Sequence, residues 1–210
     1  RRHQKVLEES PSPLVDPDMR RRMGEIAVRV AQAAGYTNAG TVEFLSDQQK
    51  NFYFLEMNTR LQVEHPISEM VTGVDLVREQ IRIAQGEKLS FKQDQTAPRG
   101  HSIEVRVKAE DPSKDFMPST GTVANLRFPG GRWVRIDSAL YRGQVVTPYY
   151  DSMLAKVIVW AADRAGAIAR MERALREFYV GGVKTSVPYA LRILADPEFR
   201  EGNFDTHFLE

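Results

Sequence analysis

The most constraining stretch is Leu55-Glu56-Met57-Asn58-Thr59-Arg60-Leu61-Gln62-Val63-Glu64-His65-Pro66. Its polar residues Glu56, Asn58, Arg60, Gln62 and Glu64 fall on alternate positions, and the residues between them are mostly apolar. In an extended chain alternate side chains share a face. The spacing therefore predicts one file of two acids, two amides and a guanidinium, with a core-seeking face behind it. Just upstream, residues 41–45 and 51–55 read as two strands joined by the turn-prone 46–50, a hairpin that brings Glu43 close to Glu56. Carboxylates facing each other across a hairpin repel, and a cation between them removes the repulsion. Two carboxylates and the Asn58 carbonyl form an all-oxygen set suited to magnesium or manganese. So small a protein share of the coordination fits a metal–nucleotide complex better than a structural ion. A solvated face is the commoner reading of an alternating strand, but solvation alone does not call for Arg, Gln and Glu in file with the acids.

Composition narrows the class. The 210 residues allow one large or two small domains with real cores. A net charge of +1, from 29 basic and 28 acidic residues, argues against an electrostatic nucleic-acid binder. The absence of cysteine excludes disulfides and thiolate chemistry. No apolar run approaches the ~20 residues that span a bilayer, and the first residues, Arg1-Arg2-His3-Gln4-Lys5, hold no apolar signal core. The expected setting is cytoplasmic, or the mitochondrial matrix for a eukaryotic source. With no initiator methionine, the chain reads as cut from something longer.

In order along the chain, Asp16-Pro17 starts a helix, an N-cap acid followed by proline. Met23, Ile26, Ala27, Val30 and Ala34 recur at helical spacing until Gly35. His65 is expected to be held extended by Pro66 and stays out of the metal set. Residues 66–84 read as helix, broken at Gly73, with an apolar stripe at Val74, Val77, Ile81 and Ala84. Residues 89–100 have linker composition, placing a domain boundary between residues 1–88 and 101–210. Beyond it come short strands at 103–108, 120–128, 133–137 and 153–160. A helix follows from the Asp163 cap to about Phe178, and another runs over about 186–195. Strands followed by helices predict a small α+β domain. In 103–108 the apolar residues take one face and Glu104, Arg106 and Lys108 the other, which by itself reads as solvated surface. No Gly-x-Gly-x-x-Gly or Walker-type loop is present, and Ser102, Ser138 and Ser152 have no His/Asp partners in any nucleophile motif.

The string Glu-Met-Asn-Thr-Arg-Leu-Gln-Val-Glu-His-Pro resembles the signature of biotin carboxylases, the ATP-grasp component of biotin-dependent carboxylases. Arg1–Lys5, Gly40–Phe44, Ala109–Pro112, Pro148–Ser152 and Gly182–Thr185 match in the same order, so the resemblance covers essentially the whole chain. Glu-x-Asn-x-Arg is shared with other ATP-grasp enzymes, whereas the Gln-Val-Glu-His continuation is specific. The implied fold is α+β: the C-terminal part of an ATP-grasp domain, then the small biotin carboxylase C-terminal domain.

The implied reaction is carboxylation of the biotin ureido nitrogen by ATP and bicarbonate through carboxyphosphate, with two Mg2+ or Mn2+ ions accompanying ATP. By the same resemblance Glu43, Glu56 and Asn58 are the metal ligands. Lys5, Arg60, Gln62 and the Val63 amide bind bicarbonate, and Glu64 is the general base. His3, Leu45, Glu56 and Val183 face the nucleotide, although a core role suits Leu45 equally well. Arg106 stabilises the biotin enolate, with Asp151 as an acid that could orient it. Implied partners are the biotin carboxyl carrier protein or domain, a carboxyltransferase and, through Gly130–Arg135 with Arg135 as an interface charge, a second copy in a homodimer. No nucleic acid or membrane partner is implied. The N-terminal domain and the nucleotide-covering lid of the family lie outside these residues, so the chain alone is expected to bind ATP poorly and turn nothing over. The competing readings are an ATP-grasp ligase of the carbamoyl-phosphate type and a non-catalytic scaffold or oligomerisation module.

Overall fold

The computed structural model describes residues 5–209. It separates into two compact units: Pro11–Pro98, and Arg99–Glu210 together with the opening segment through Ser10. That opening segment holds strand β1 (Leu7–Ser10), which the sequence pattern does not announce. Among the described residues no helix is long and apolar enough to cross a membrane.

In the first unit, helix α1 (Pro17–Ala33) starts as expected: Asp16 Oδ1 accepts from the Met19 N–H at 2.8 Å, with proline in the first turn. Its interior side is thinner than the spacing suggested. Met19 is buried, whereas Met23, Ile26, Ala27 and Val30 are half-buried and Ala34 is exposed. Strands β2 (Thr41–Ser46) and β3 (Phe52–Asn58) form the expected antiparallel hairpin. Its turn is tied by Asp47, whose Oδ1 and Oδ2 accept from the Asn51 N–H and side-chain amide at 2.8 and 2.9 Å. The Lys50 ammonium reaches Asp16 at 2.7 Å, fastening the hairpin tip to the helix cap.

Helices α2 (His65–Thr72) and α3 (Leu76–Ala84) replace the single broken helix, with Gly73 left-handed at φ 75°. Two expectations fail here. His65 is not extended: it opens α2, with proline in its first turn, a position proline favours because the missing N–H has no helical partner there. The stripe at Val77, Ile81 and Ala84 is exposed. The side of α3 that is buried carries Glu79, whose carboxylate accepts from the Ser90 hydroxyl at 2.5 Å and the Ser90 N–H at 3.0 Å. Those bonds satisfy a charge that would otherwise be costly to bury.

The second unit is built on a four-stranded antiparallel sheet: β1, β4 (His101–Lys108), Met153–Ala161 and Val134–Ser138, in that order. Helices α4 (Arg164–Glu177) and α5 (Val187–Ala195) and the short α6 (Pro197–Glu201) supply the rest of the core. Ile103, Val105 and Val107 from β4 meet Val157 and Val159 with Ala167, Met171, Ala174, Leu175 and Leu194, all essentially without solvent. The expected strand over 120–128 is two: Gly121–Thr122 pairs with Val145–Val146, and Asn125–Arg127 with Tyr179–Gly181. Buried Val123 marks the change of partner.

Gly182, between Tyr179–Gly181 and α5, has φ +100°, and a Cβ there would lie 1.9 Å from the Thr122 carbonyl oxygen. A left-handed backbone and a main-chain clash together allow only glycine. Gly182→Ala is expected to destabilise this unit by about 3 kcal/mol, from backbone strain and forced repacking. The loss should appear as a lower urea midpoint, and an unchanged midpoint would contradict it.

Candidate functional site

The hairpin carries all three predicted metal ligands, Glu43, Glu56 and Asn58, and its register decides their aim. Glu43 and Glu56 are direct cross-strand partners, but the next pair is Phe44 with Phe54. Leu55 is therefore an extra residue, a β-bulge. A bulge reverses the in/out alternation at that point and re-aims the side chains beyond it. Here it turns Glu56 to the face of Glu43 while Phe54 keeps company with Phe44, whose rings meet edge-on at 6.5 Å.

The polar file then closes on the pair. The Asn58 amide donates to Glu43 Oε1 at 3.2 Å and to Glu56 Oε1 at 3.0 Å, so both carboxylates approach one nitrogen. The Gln62 amide donates to Glu43 Oε1 at 2.6 Å, and Gln62 itself is only 8% exposed. The Arg60 guanidinium donates to Asn58 Oδ1 at 3.2 Å and to the Leu61 carbonyl at 3.3 Å.

The file is not one strand. Extended structure ends at Asn58, the chain bends through Thr59 and Arg60, and Glu64 stands at the N-cap of α2 without a side-chain cap bond. Convergence arises from strand, bend and turn together rather than from alternation alone. The Asn58 amide also faces the acids with its nitrogen, not with the carbonyl expected of a ligand. Two close carboxylates need a positive partner, and the NH2 group supplies it; coordination through Oδ1 requires a half-turn of the amide.

The donor set fits a hard divalent ion: two carboxylates, and an amide oxygen one rotation away, all on one small surface. Among the described residues no group of three or more His, Cys, Asp or Glu side chains could hold a metal. Glu43, Glu56 and Asn58 alone are short of a complete protein cage for such an ion.

The remaining predicted residues are dispersed. His3 lies outside the described residues. Lys5 is exposed immediately before β1, and Val63 and Glu64 are half-buried in the turn before α2. Leu45 is 52% exposed on β2, which removes the core alternative for it. Val183 is partly buried against the core of the second unit. Asp151 is exposed, with Oδ1 accepting from the Met153 N–H at 2.8 Å.

Arg106 on β4 does not lie on a solvated face. Glu104 beside it is 0% exposed, and the Arg106 guanidinium pairs with Glu8 Oε1 at 2.6 Å. Sequence reasoning missed Glu8 and its neighbour Glu9. The available signal was the run of charges on 103–108, which needs opposite charges once it is buried. Arg135 forks onto Asp137 at 2.8 and 2.9 Å. Burial pushes the Asp137 carboxyl up, but Arg135 and Lys156 outweigh it and hold Asp137 below the usual carboxylate range.

The acid pair with its amides and guanidinium belongs to one unit and the helix-backed antiparallel sheet to the other, and each unit has its own family match. Residues 1–92 match the family described as carbamoyl-phosphate synthase L chain, ATP binding domain, and residues 104–210 match biotin carboxylase C-terminal domain. The chain belongs to the biotin carboxylase family. It is 55% identical over 210 residues to a biotin carboxylase of Nostoc sp., covering 100% of this chain and 47% of that protein. It is 54% identical over 211 residues to biotin carboxylase 1 of Bacillus subtilis, with the same two coverages. In three dimensions it matches the biotin carboxylase domain dimer of Hydrogenobacter thermophilus 2-oxoglutarate carboxylase, in complex with MgADP, ADP and bicarbonate. That match has a TM-score of 0.97 at 48% identity, over 100% of this chain and 46% of the other. The chain thus spans about half the length of the relatives it matches.

Proposed function

We propose that this chain is the C-terminal part of an enzyme that carboxylates the biotin ureido nitrogen with ATP and bicarbonate, its two domains meeting in the 89–100 stretch. The observation that carries the reading is the approach of Glu43 and Glu56 to one Asn58 amide, with Gln62 and Arg60 bonded into the same group.

Phosphoryl transfer depends chiefly on alignment and charge neutralisation. Glu43, Glu56 and Asn58 would hold Mg2+ or Mn2+, which would supply positive charge against that developing on the ATP phosphates. The planar fork of Arg60, with Lys5, Gln62 and the Val63 amide, orients bicarbonate. Glu64 takes the bicarbonate proton as its oxygen attacks the γ-phosphorus, ADP leaves, and carboxyphosphate is formed. Leu45, Val183 and His3 serve the nucleotide. Arg106 stabilises the negative oxygen of the biotin enolate, with Asp151 at the biotin site. The presented substrate is biotin on a carrier protein or domain, and a carboxyltransferase takes the product onward. Arg135 belongs to a homodimer surface, and the setting is the cytoplasm or the mitochondrial matrix.

The test is a magnesium titration of bicarbonate-dependent, biotin-stimulated ATP cleavage in the full-length protein. Glu43→Gln and Glu56→Gln should each raise the magnesium requirement on the order of tenfold or more, since even outer partners of metal ligands cost that much. Unchanged magnesium dependence in both variants would remove the metal assignment.

A further inference from the structure

We propose that Glu8 is a positioning residue for Arg106, so that strand β1 forms part of the biotin step. The proposal rests on the assignment of Arg106 to that step.

The physical case begins with the sheet. On the face of β4 opposite the helices, Arg106 is the direct cross-strand partner of Lys156. Two cations so placed repel, and neither is open to solvent: the side chains are 15% and 11% exposed. Each has an acid on its outer side. Lys156 pairs directly with Asp137 across the next strand, Nζ to Oδ2 at 3.5 Å. Arg106 is drawn the other way, to Glu8 at 2.6 Å, whose side chain is 9% exposed. Negative, positive, positive, negative is the order across four strands, and it pulls the two central cations apart.

Glu8 reaches Arg106 diagonally, because its own partner in register is Glu104. Long side chains span that diagonal. The same strand holds the Arg106 backbone, whose N–H donates to the Val6 carbonyl at 3.1 Å. β1 therefore fixes both the main chain and the guanidinium of this residue. A guanidinium has five N–H donors in a rigid fork, and the ion pair with Glu8 bears on where that fork points. Without the Glu8 carboxylate, the neighbouring Lys156 charge would displace the head group from that aim.

The test is a double-mutant cycle on biotin-dependent ATP cleavage in the full-length protein, using Glu8→Gln, Arg106→Ala and the pair. Glu8→Gln should lower the biotin-dependent rate about tenfold, less than the roughly hundredfold loss from Arg106→Ala. In the Arg106→Ala background it should lower the rate no further. Biotin-independent, bicarbonate-dependent ATP cleavage, which precedes the biotin step, should stay at the parent rate in Glu8→Gln; a merely structural role would depress both activities together. If Arg106→Ala is damaging and Glu8→Gln is silent, or the two losses multiply, the positioning role is overturned while the reading of Arg106 stands. If Arg106→Ala is itself silent, that reading falls and the proposal with it. Should Glu8→Gln fail to fold, Glu8→Asp keeps the charge, withdraws it by one methylene and is judged by the same outcomes.

Discussion

Glu64→Gln in the full-length protein is expected to lower bicarbonate-dependent ATP cleavage by at least about a hundredfold, the lower end for a positioned general base. The amide is nearly the same size and cannot accept the bicarbonate proton as a carboxylate does. The position supports that use. Glu64 stands at the N-cap of α2, where an acidic side chain commonly bonds the first free N–H groups, yet its side chain makes no cap bond. The helix start therefore does not rest on a carboxylate cap there, and the melting curve of Glu64→Gln shows whether its activity loss is read on folded protein. Magnesium dependence should be unchanged, because the acids assigned to the metal are Glu43 and Glu56. A rate within severalfold of the parent would remove Glu64 from the mechanism.

The second large effect concerns stability. Glu9 is tied at 2.7 Å to the His101 ring and at 2.8 and 3.1 Å to Arg164, which also donates to the Phe199 and Arg200 carbonyls. Arg164→Ala strips a nearly buried carboxylate of one of its two partners, an event that costs about 3–5 kcal/mol when a charge is left uncompensated. With His101 still in place, about 3 kcal/mol is expected. Trp133 and Trp160, the two tryptophans of the chain, both lie in this unit and report its urea unfolding by fluorescence.

The pH dependence has a definite sign. Burial pushes the Glu9 carboxyl up, but the His101 and Arg164 hydrogen bonds outweigh it, so its folded pKa lies below the ordinary 4.5. A depressed acid contributes stability that is complete above the unfolded value and is lost as pH falls through the folded one. The gap between parent and Arg164→Ala should therefore be widest near neutrality and narrow below about pH 4.5. The lost bonds to Phe199 and Arg200 should leave a remainder that does not vary with pH. A gap constant from pH 7 to pH 3 would show that the Glu9 ion pair contributes nothing.

What the chain determined by itself was whatever acts over a few residues. Asp16-Pro17, Asp163 and Asp196-Pro197 start helices because a short acid bonds the next free N–H groups wherever it occurs. The hairpin read from 41–45 and 51–55, the break at Gly73 and the identity of the polar file come from equally local chemistry. So does the family, since its signature is a contiguous string.

Tertiary structure decided the rest. It made Leu55 a bulge, turned Glu56 toward Glu43, and bent the file after Asn58 so that Gln62 could reach back 19 residues to Glu43. It also made a strand of Leu-Glu-Glu-Ser, a sequence with little intrinsic β-preference. The partners that make burial of Glu8 and Glu9 tolerable are Arg106, His101 and Arg164, and those of Glu9 lie 92 residues or more away. Burying a charge is costly unless a partner is present, and only the folded chain brings those partners within reach.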